Sequence, residues 1–163
     1  KKWCREKKLI ARPKKRVRRP KYEELKKLTE HFQEKARRST YPMDLLMWFA
    51  IYSCRRLDEI CRIKREDLDK QHGTYYLRSL KDPTGSKAKH RVALLPKQGW
   101  DIVELILEHV PSEDGRLFPF SSKSASTYFT NACKILGIED LREHDLRHEG
   151  ISRLAEEGYS IPQ

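Results

Sequence analysis

Two short clusters in this chain hold the residue types that can act on a phosphate. The first is Ser53-Cys54-Arg55-Arg56-Leu57-Asp58-Glu59-Ile60, where two arginines follow directly on an apolar stretch. Arg56 and Glu59 are three residues apart, so on a helix they share a face and can pair. Taken alone, this pattern reads as a surface ion pair. The second cluster is His144-Asp145-Leu146-Arg147-His148. His144 and Arg147 have the same spacing and fall at the start of a helical pattern. Free N–H groups and the positive end of the dipole already favour an anion there. A guanidinium matches two phosphate oxygens, and an imidazole can donate one further hydrogen bond. His148 reads as a packed structural histidine.

The elements that must position these clusters follow from periodicity. Leu25, Leu28, Phe32 and Ala36 recur at helical spacing from Tyr22 onward. Ser39-Thr40-Tyr41-Pro42 is a break, with Pro42 suited to the first position of the next helix. That helix, Asp44 to about Cys54, is apolar on most sides and predicts a central core helix. A further turn, Leu57 to Ile63, follows it. Thr74 to Lys81 and Arg91 to Leu95 are rich in strand formers and flank the turn chemistry of Asp82-Pro83-Thr84-Gly85-Ser86, which predicts a β-hairpin. Its tip and shoulders are basic: Lys81, Lys87, Lys89, His90 and Arg91. Helices are expected over Trp100–Val110, Ser124–Leu136 and Leu141–Gly158, with Leu117-Phe118-Pro119-Phe120 as an apolar anchor. The fold class is therefore α+β, mainly helical with a small antiparallel sheet.

The chain has 163 residues, enough for one ordinary domain and an arm, and a net charge of +11. The first 21 residues hold twelve Lys and Arg against one Glu, so the remainder is neutral. Residues 1–20 read as a basic arm or linker, and 21–163 as the domain. Lys14, Lys15, Arg16, Arg18 and Arg19 are candidates for contact with a polyanion. Nucleic acid suits the arm better than lipid, because it has no large apolar face. No apolar run is long enough to span a bilayer, so no membrane partner is expected. Cys4, Cys54, Cys61 and Cys133 show no CxxC spacing, so neither a zinc site nor any other metal is expected, and free buried thiols fit a reducing cytoplasm.

In order along the chain come an arginine in a Cys-Arg-Arg-Leu-Asp-Glu segment, a basic hairpin, and His-Asp-Leu-Arg-His. From about Tyr22 to Gln163 this resembles the catalytic domain of the tyrosine recombinase or phage integrase family. His144 to Leu154 is most similar to its shufflon-type and phage integrase branch. The resemblance implies a site-specific DNA recombinase that works by metal-independent transesterification. A tyrosine hydroxyl attacks the DNA phosphate and leaves a 3′-phosphotyrosine and a free 5′ hydroxyl, without a cofactor. Arg56, His144 and Arg147 match the residues that bind the scissile phosphate, with Arg55 a competitor for the first role. Glu59 and Asp145 match orienting positions. Lys81 matches the general acid for the leaving oxygen, with Lys87 and Lys89 as runners-up. Arg78 and Arg91 are neighbours that could lower its pKa, and Arg78, Lys87, Lys89 and Arg91 are expected to contact DNA.

In that family the nucleophilic tyrosine lies some tens of residues after the second motif. Tyr159 follows Arg147 by only 12 residues and matches a structural position, while Tyr75, Tyr76 and Tyr128 read as packing residues or phosphate contacts. No nucleophile is assigned within the chain. It reads as a fragment that is inactive alone, a monomer in isolation, bound to duplex DNA and self-associating there in a longer, bacterial or phage-encoded, nucleoid-associated parent. The alternative is a non-catalytic DNA-binding module that keeps the phosphate clamp. A basic RNA-associated protein is a third reading, favoured only by the arm.

Overall fold

The computed structural model describes residues 18–36, 41–80 and 89–159. Within them lie six α-helices: α1 (Tyr22–Ala36), α2 (Met43–Ser53), α3 (Leu57–Ile60), α4 (Lys97–His109), α5 (Ser122–Ile135) and α6 (Glu143–Glu156). The strands are β1 (Leu68–Asp69), β2 (Thr74–Leu80) and β3 (Lys89–Leu94), preceded by a 3-10 turn at Arg65–Asp67. They form one antiparallel sheet in the order β1-β2-β3. The fold is α+β and mainly helical, as the periodicity predicts.

α2 is the centre because it has no polar face to give to water. Met43, Leu46, Met47, Phe49, Ala50 and Ile51 are all buried, each worth about 1–3 kcal/mol of apolar burial. Phe49 meets Tyr75 of β2 edge-on at 6.2 Å and Phe118 at 5.4 Å. One helix thus holds the sheet on one side and the Leu117–Phe120 anchor on the other. In the sheet, Tyr75 lies opposite Ala93 and Tyr76 opposite Val92. The period of two therefore turns Tyr75, Leu77 and Ala93 inward, and leaves Tyr76, Val92 and Leu94 exposed.

Several boundaries differ from the sequence reading: α4 begins at Lys97 rather than Trp100, α5 at Ser122 rather than Ser124, and α6 spans Glu143–Glu156 within the expected Leu141–Gly158. Pro42 is the N-cap of α2 rather than its first residue, a difference of one position. The helix after Arg56 is one turn, Leu57–Ile60. The two-residue strand β1 is additional; at that length no alternation exists to announce it. The turn at residues 82–86, the break at Ser39 and Thr40, and all but the last residues of the arm lie outside the described residues.

α6 crosses the last turn of α2 at backbone contact. A Cβ placed on Gly150 would lie 1.9 Å from the Ile51 carbonyl oxygen and 2.8 Å from Cys54 Sγ. Only a residue without a side chain lets the two helices approach so closely. Directly past this crossing, Cys54 takes the left-handed conformation (φ 53°) and turns the chain out of α2 into Arg55 and Arg56. Close packing at Gly150 therefore sets where one arginine cluster stands relative to the other.

Candidate functional site

Arg56 is the N-cap of α3, and Glu59 sits three residues on. Glu59 is buried and uses both carboxylate oxygens. Oε2 accepts the Arg56 backbone N–H at 3.3 Å, and Oε1 accepts the Arg56 guanidinium at 2.8 Å. The same Oε2 stands 3.9 Å from Arg147 Nη1 on α6. One buried carboxylate thus caps a helix and bridges two arginines 91 positions apart in the chain. Arg56 remains about half exposed, with Arg147 less so, so both guanidiniums present N–H donors to the outside.

The start of α6 is built by the same device. Asp145 is fully buried, and its Oδ2 accepts the Arg142 N–H at 2.9 Å, which closes the first turn and fixes the direction in which His144 and Arg147 project. Asp67 repeats it at the 3-10 turn, accepting the Lys64 N–H at 3.0 Å. The sequence reading singled out Glu59 and Asp145 but not Asp67, although the three share one signal, an acid three residues after an N-cap.

His144 is exposed, and its ring meets that of His148 edge-on, with centroids 4.8 Å apart. Partial burial lowers its pKa, and His148, Arg147 and Arg56 lower it further. His144 is therefore a neutral imidazole at neutral pH, with one N–H to donate. Arg147 is pushed the same way, by burial first and then by Arg56, against the opposing pull of Glu59. The guanidiniums are crowded, and an anion placed between them relieves that crowding. Glu143, beside His144, is raised to about 7 by burial and by Asp145, while its carboxylate accepts the Leu57 backbone N–H at the start of α3. Glu143 is a second tie between the two motifs.

Among the described residues, Cys54, Cys61 and Cys133 are free thiols. Burial pushes Cys61 up to about 12 and Cys133 to about 11, so they stay protonated. No group of three or more metal-ligating side chains occurs among the described residues, and none of the described helices is long and apolar enough to cross a membrane.

The other sequence candidates distribute differently. Lys81 and Lys87 lie outside the described residues, as do Lys14, Lys15 and Arg16. Lys89 opens β3, and Arg91 is exposed on it. Arg78 is not a free surface cation. Its guanidinium donates to Asp67 Oδ1 at 2.6 and 2.8 Å and to Glu66 at 3.0 Å, which satisfies the otherwise uncompensated Asp67. Arg18 and Arg19 are likewise engaged within the chain. Arg18 pairs with Glu24 at 2.6 Å, and Arg19 pairs with Glu149 at 2.8 Å and with Glu156. Neighbouring acids on α1 and α6 capture these arginines, and proximity of that kind across 130 positions has no signature in the sequence.

The chain is 28% identical over 135 residues to the shufflon-specific DNA recombinase of Escherichia coli, which covers 83% of this chain and 32% of the relative. It thus spans about a third of that relative's length. Among solved structures, XerA recombinase superposes with a TM-score of 0.67 at 21% identity, over 94% of this chain and 58% of the other. A lambda integrase tetramer bound to a Holliday junction gives 0.66 at 21%, over 94% and 47%. The Tn1549 transposon integrase in complex with circular intermediate DNA gives 0.68 at 12%, over 94% and 57%. The description of the family model matched by residues 18–163 is the phage integrase family, and the chain belongs to it.

Proposed function

We propose that this chain is the phosphate-binding part of a site-specific DNA recombinase, acting on duplex DNA without a metal or cofactor. The observation that carries the reading is the bridge made by Glu59. One buried carboxylate orients Arg56 at 2.8 Å and stands 3.9 Å from Arg147, while neutral His144 projects from the same end of α6. Two guanidinium forks and one imidazole N–H form a clamp for the equatorial oxygens of a phosphodiester under attack, where charge grows in the transition state. Lys81 is the proposed proton donor to the leaving 5′ oxygen, with Lys87 and Lys89 as the alternatives on the same hairpin. The similarity to a shufflon-specific DNA recombinase supports the substrate class.

In this scheme the attacking hydroxyl is supplied by a tyrosine of a longer parent protein, and none of this chain's seven tyrosines is assigned the role. Tyr75 is only 1% exposed, so DNA cannot reach its oxygen. Tyr41 and Tyr128 stack on each other, and Tyr52 stacks on Trp48. Tyr159 follows Arg147 by 12 residues and lies three residues past the end of α6, with the nine helical residues between alone spanning about 14 Å. Assembly with further copies on DNA is proposed as well, since lambda integrase is a tetramer on its Holliday junction.

The test is a covalent-adduct assay on nicked duplex DNA with the full-length gene product. Wild type forms a denaturant-resistant protein–DNA adduct, and Arg147→Ala lowers its rate by at least a hundredfold while most of the duplex affinity remains. Adduct formation at the wild-type rate in Arg147→Ala rejects the clamp. No adduct from wild type leaves the non-catalytic DNA-binding module as the reading.

A further inference from the structure

Arg56 and Arg147 share Glu59, but a third arginine stands in the same place without a carboxylate. Arg55 follows the left-handed Cys54 and is largely withdrawn from solvent. It acts on Arg147 and Cys54 as a nearby positive charge. It stands close enough to the hydroxyl of Tyr75, on the inner face of β2, to act on it electrostatically, and Glu59 is felt there as well. The pairing is incomplete. Arg55 Nε and Tyr75 Oη are both buried with no hydrogen-bond partner among the described residues. A buried donor left unmade costs about 1–3 kcal/mol, and more when the group is charged. Among the described residues Glu59 is the carboxylate seen to pair with Arg56 and Arg147, while Asp145 caps a backbone N–H of α6, so these guanidiniums together outnumber their paired carboxylate by about two. A phosphodiester carries one negative charge, and a phosphate dianion or a pentavalent phosphorane carries two.

We propose that Arg55 is a third anion-binding guanidinium of this site, backed by the Tyr75 hydroxyl, so that the chain is built for a doubly charged phosphate group. This rests on the clamp reading and deepens it. In the free chain Arg55 is a cation waiting for a counter-charge. When a dianion enters between Arg56 and Arg147, Arg55 supplies a third fork from the side of the sheet. The Tyr75 hydroxyl, too buried to react, then holds that fork rather than the ligand. Arg55 thereby ties the anion to β2, the strand that leads into the basic hairpin.

The experiment titrates the whole chain with inorganic phosphate and follows the His144 ring and arginine Nε–H signals by NMR, so that binding at the basic arm is not counted. Wild type shifts both sets of signals, and Arg147→Ala abolishes the response. Arg55→Leu weakens phosphate binding about tenfold, while its thermal midpoint equals or exceeds that of wild type, because an uncompensated charge has left the interior. Tyr75→Phe gives a smaller loss in the same direction. Unchanged phosphate binding in Arg55→Leu, with Arg147→Ala abolished, overturns the role of Arg55 and leaves the clamp standing. Equal binding by wild type and Arg147→Ala overturns the clamp itself, and the inference falls with it. If Arg55→Leu does not fold, Arg55→Gln is read against the same outcomes.

Discussion

Along α6, arginine meets carboxylate at two places, and the balance is opposite. Toward the C-terminal end, Glu149 accepts Arg19 at 2.8 Å and Arg153 at 2.7 Å, and Arg19 also reaches Glu156. Arg153 lies 5.8 Å above the Trp48 ring, whose Nε1 donates to Thr29 on α1. There, hydrogen bonds to Glu149 and Glu156 raise the Arg19 pKa. Burial pushes Glu149 up, but Arg19 and Arg153 outweigh it and hold the carboxyl below its usual range. Toward the N-terminal end, Arg56 and Arg147 share Glu59, Arg55 adds a further positive charge near Arg147, and the pKa of Arg147 is lowered rather than raised. The first place is neutralised and holds the chain together. The second is under-neutralised among the described residues, and it is where the proposed phosphate would add the missing charge. Counting arginines does not separate the two; counting the carboxylates within reach of them does.

Gly150 lies between these two places, and substituting it breaks both at once. In Gly150→Ala the new methyl group meets the Ile51 carbonyl oxygen, which is backbone and cannot rotate away. α6 must lift from α2, taking Arg147 from Glu59 and Arg153 from Trp48. The expected cost is about 3 kcal/mol or more, measured by urea unfolding. The adduct rate in the full-length gene product falls along with it. A Gly150→Ala protein with wild-type stability would mean that the two helices are not seated at backbone contact.

The next largest effect separates the two places by pH. Glu143 has its pKa raised in the folded chain to about 7 from 4.5. The folded state therefore binds the proton more tightly than the unfolded chain does. Its contribution is fully present below about pH 4.5 and is lost as pH rises through about 7, a change of at most about 3 kcal/mol. Glu149 has the reverse sign: its pKa is lowered, so its contribution is present at neutral pH and lost as pH falls. Glu143→Gln should remove the loss between pH 5 and 8 and leave the acid side unchanged. Unfolding curves at pH 5 and pH 8 decide it; a Gln variant that still loses stability over that interval places the titrating group elsewhere.

What was legible in the sequence follows the same division. Helices whose apolar residues repeat every three or four positions were readable, because burial of that stripe selects them; α1 and α2 begin within one residue of expectation. Arg56, Glu59, His144 and Arg147 were readable because each pair lies within one helical turn. The roles of Arg18, Arg19 and Arg78 were not. Composition shows a basic arm and a basic hairpin, yet the partners Glu149, Asp67 and Glu66 come from other elements, and only the fold brings them close. Gly150 falls inside the expected Leu141–Gly158 helix. Nothing local distinguishes a glycine that is tolerated from one pressed against another helix.

The smallest effect belongs to Arg19, a residue of the type expected to bind DNA. Arg19 is 41% exposed and Glu156 is 62% exposed, so water and salt screen much of their attraction. Arg19→Ala should cost about 0.5–1 kcal/mol, chiefly through the loss of one of the two arginines on buried Glu149. The cost should shrink only in part in 0.5 M salt, since Glu149 keeps Arg153. In duplex binding, the logarithm of affinity against the logarithm of salt should keep its wild-type slope, because Arg19 already has carboxylates for counterions and releases none from DNA. Deleting residues 1–17 should flatten that slope, since nine of the chain's Lys and Arg lie there. Should Arg19→Ala reduce the slope by about one, as loss of a phosphate contact does, then Arg19 leaves Glu149 on binding DNA. The C-terminal part of α6 would then be a second DNA contact rather than a brace.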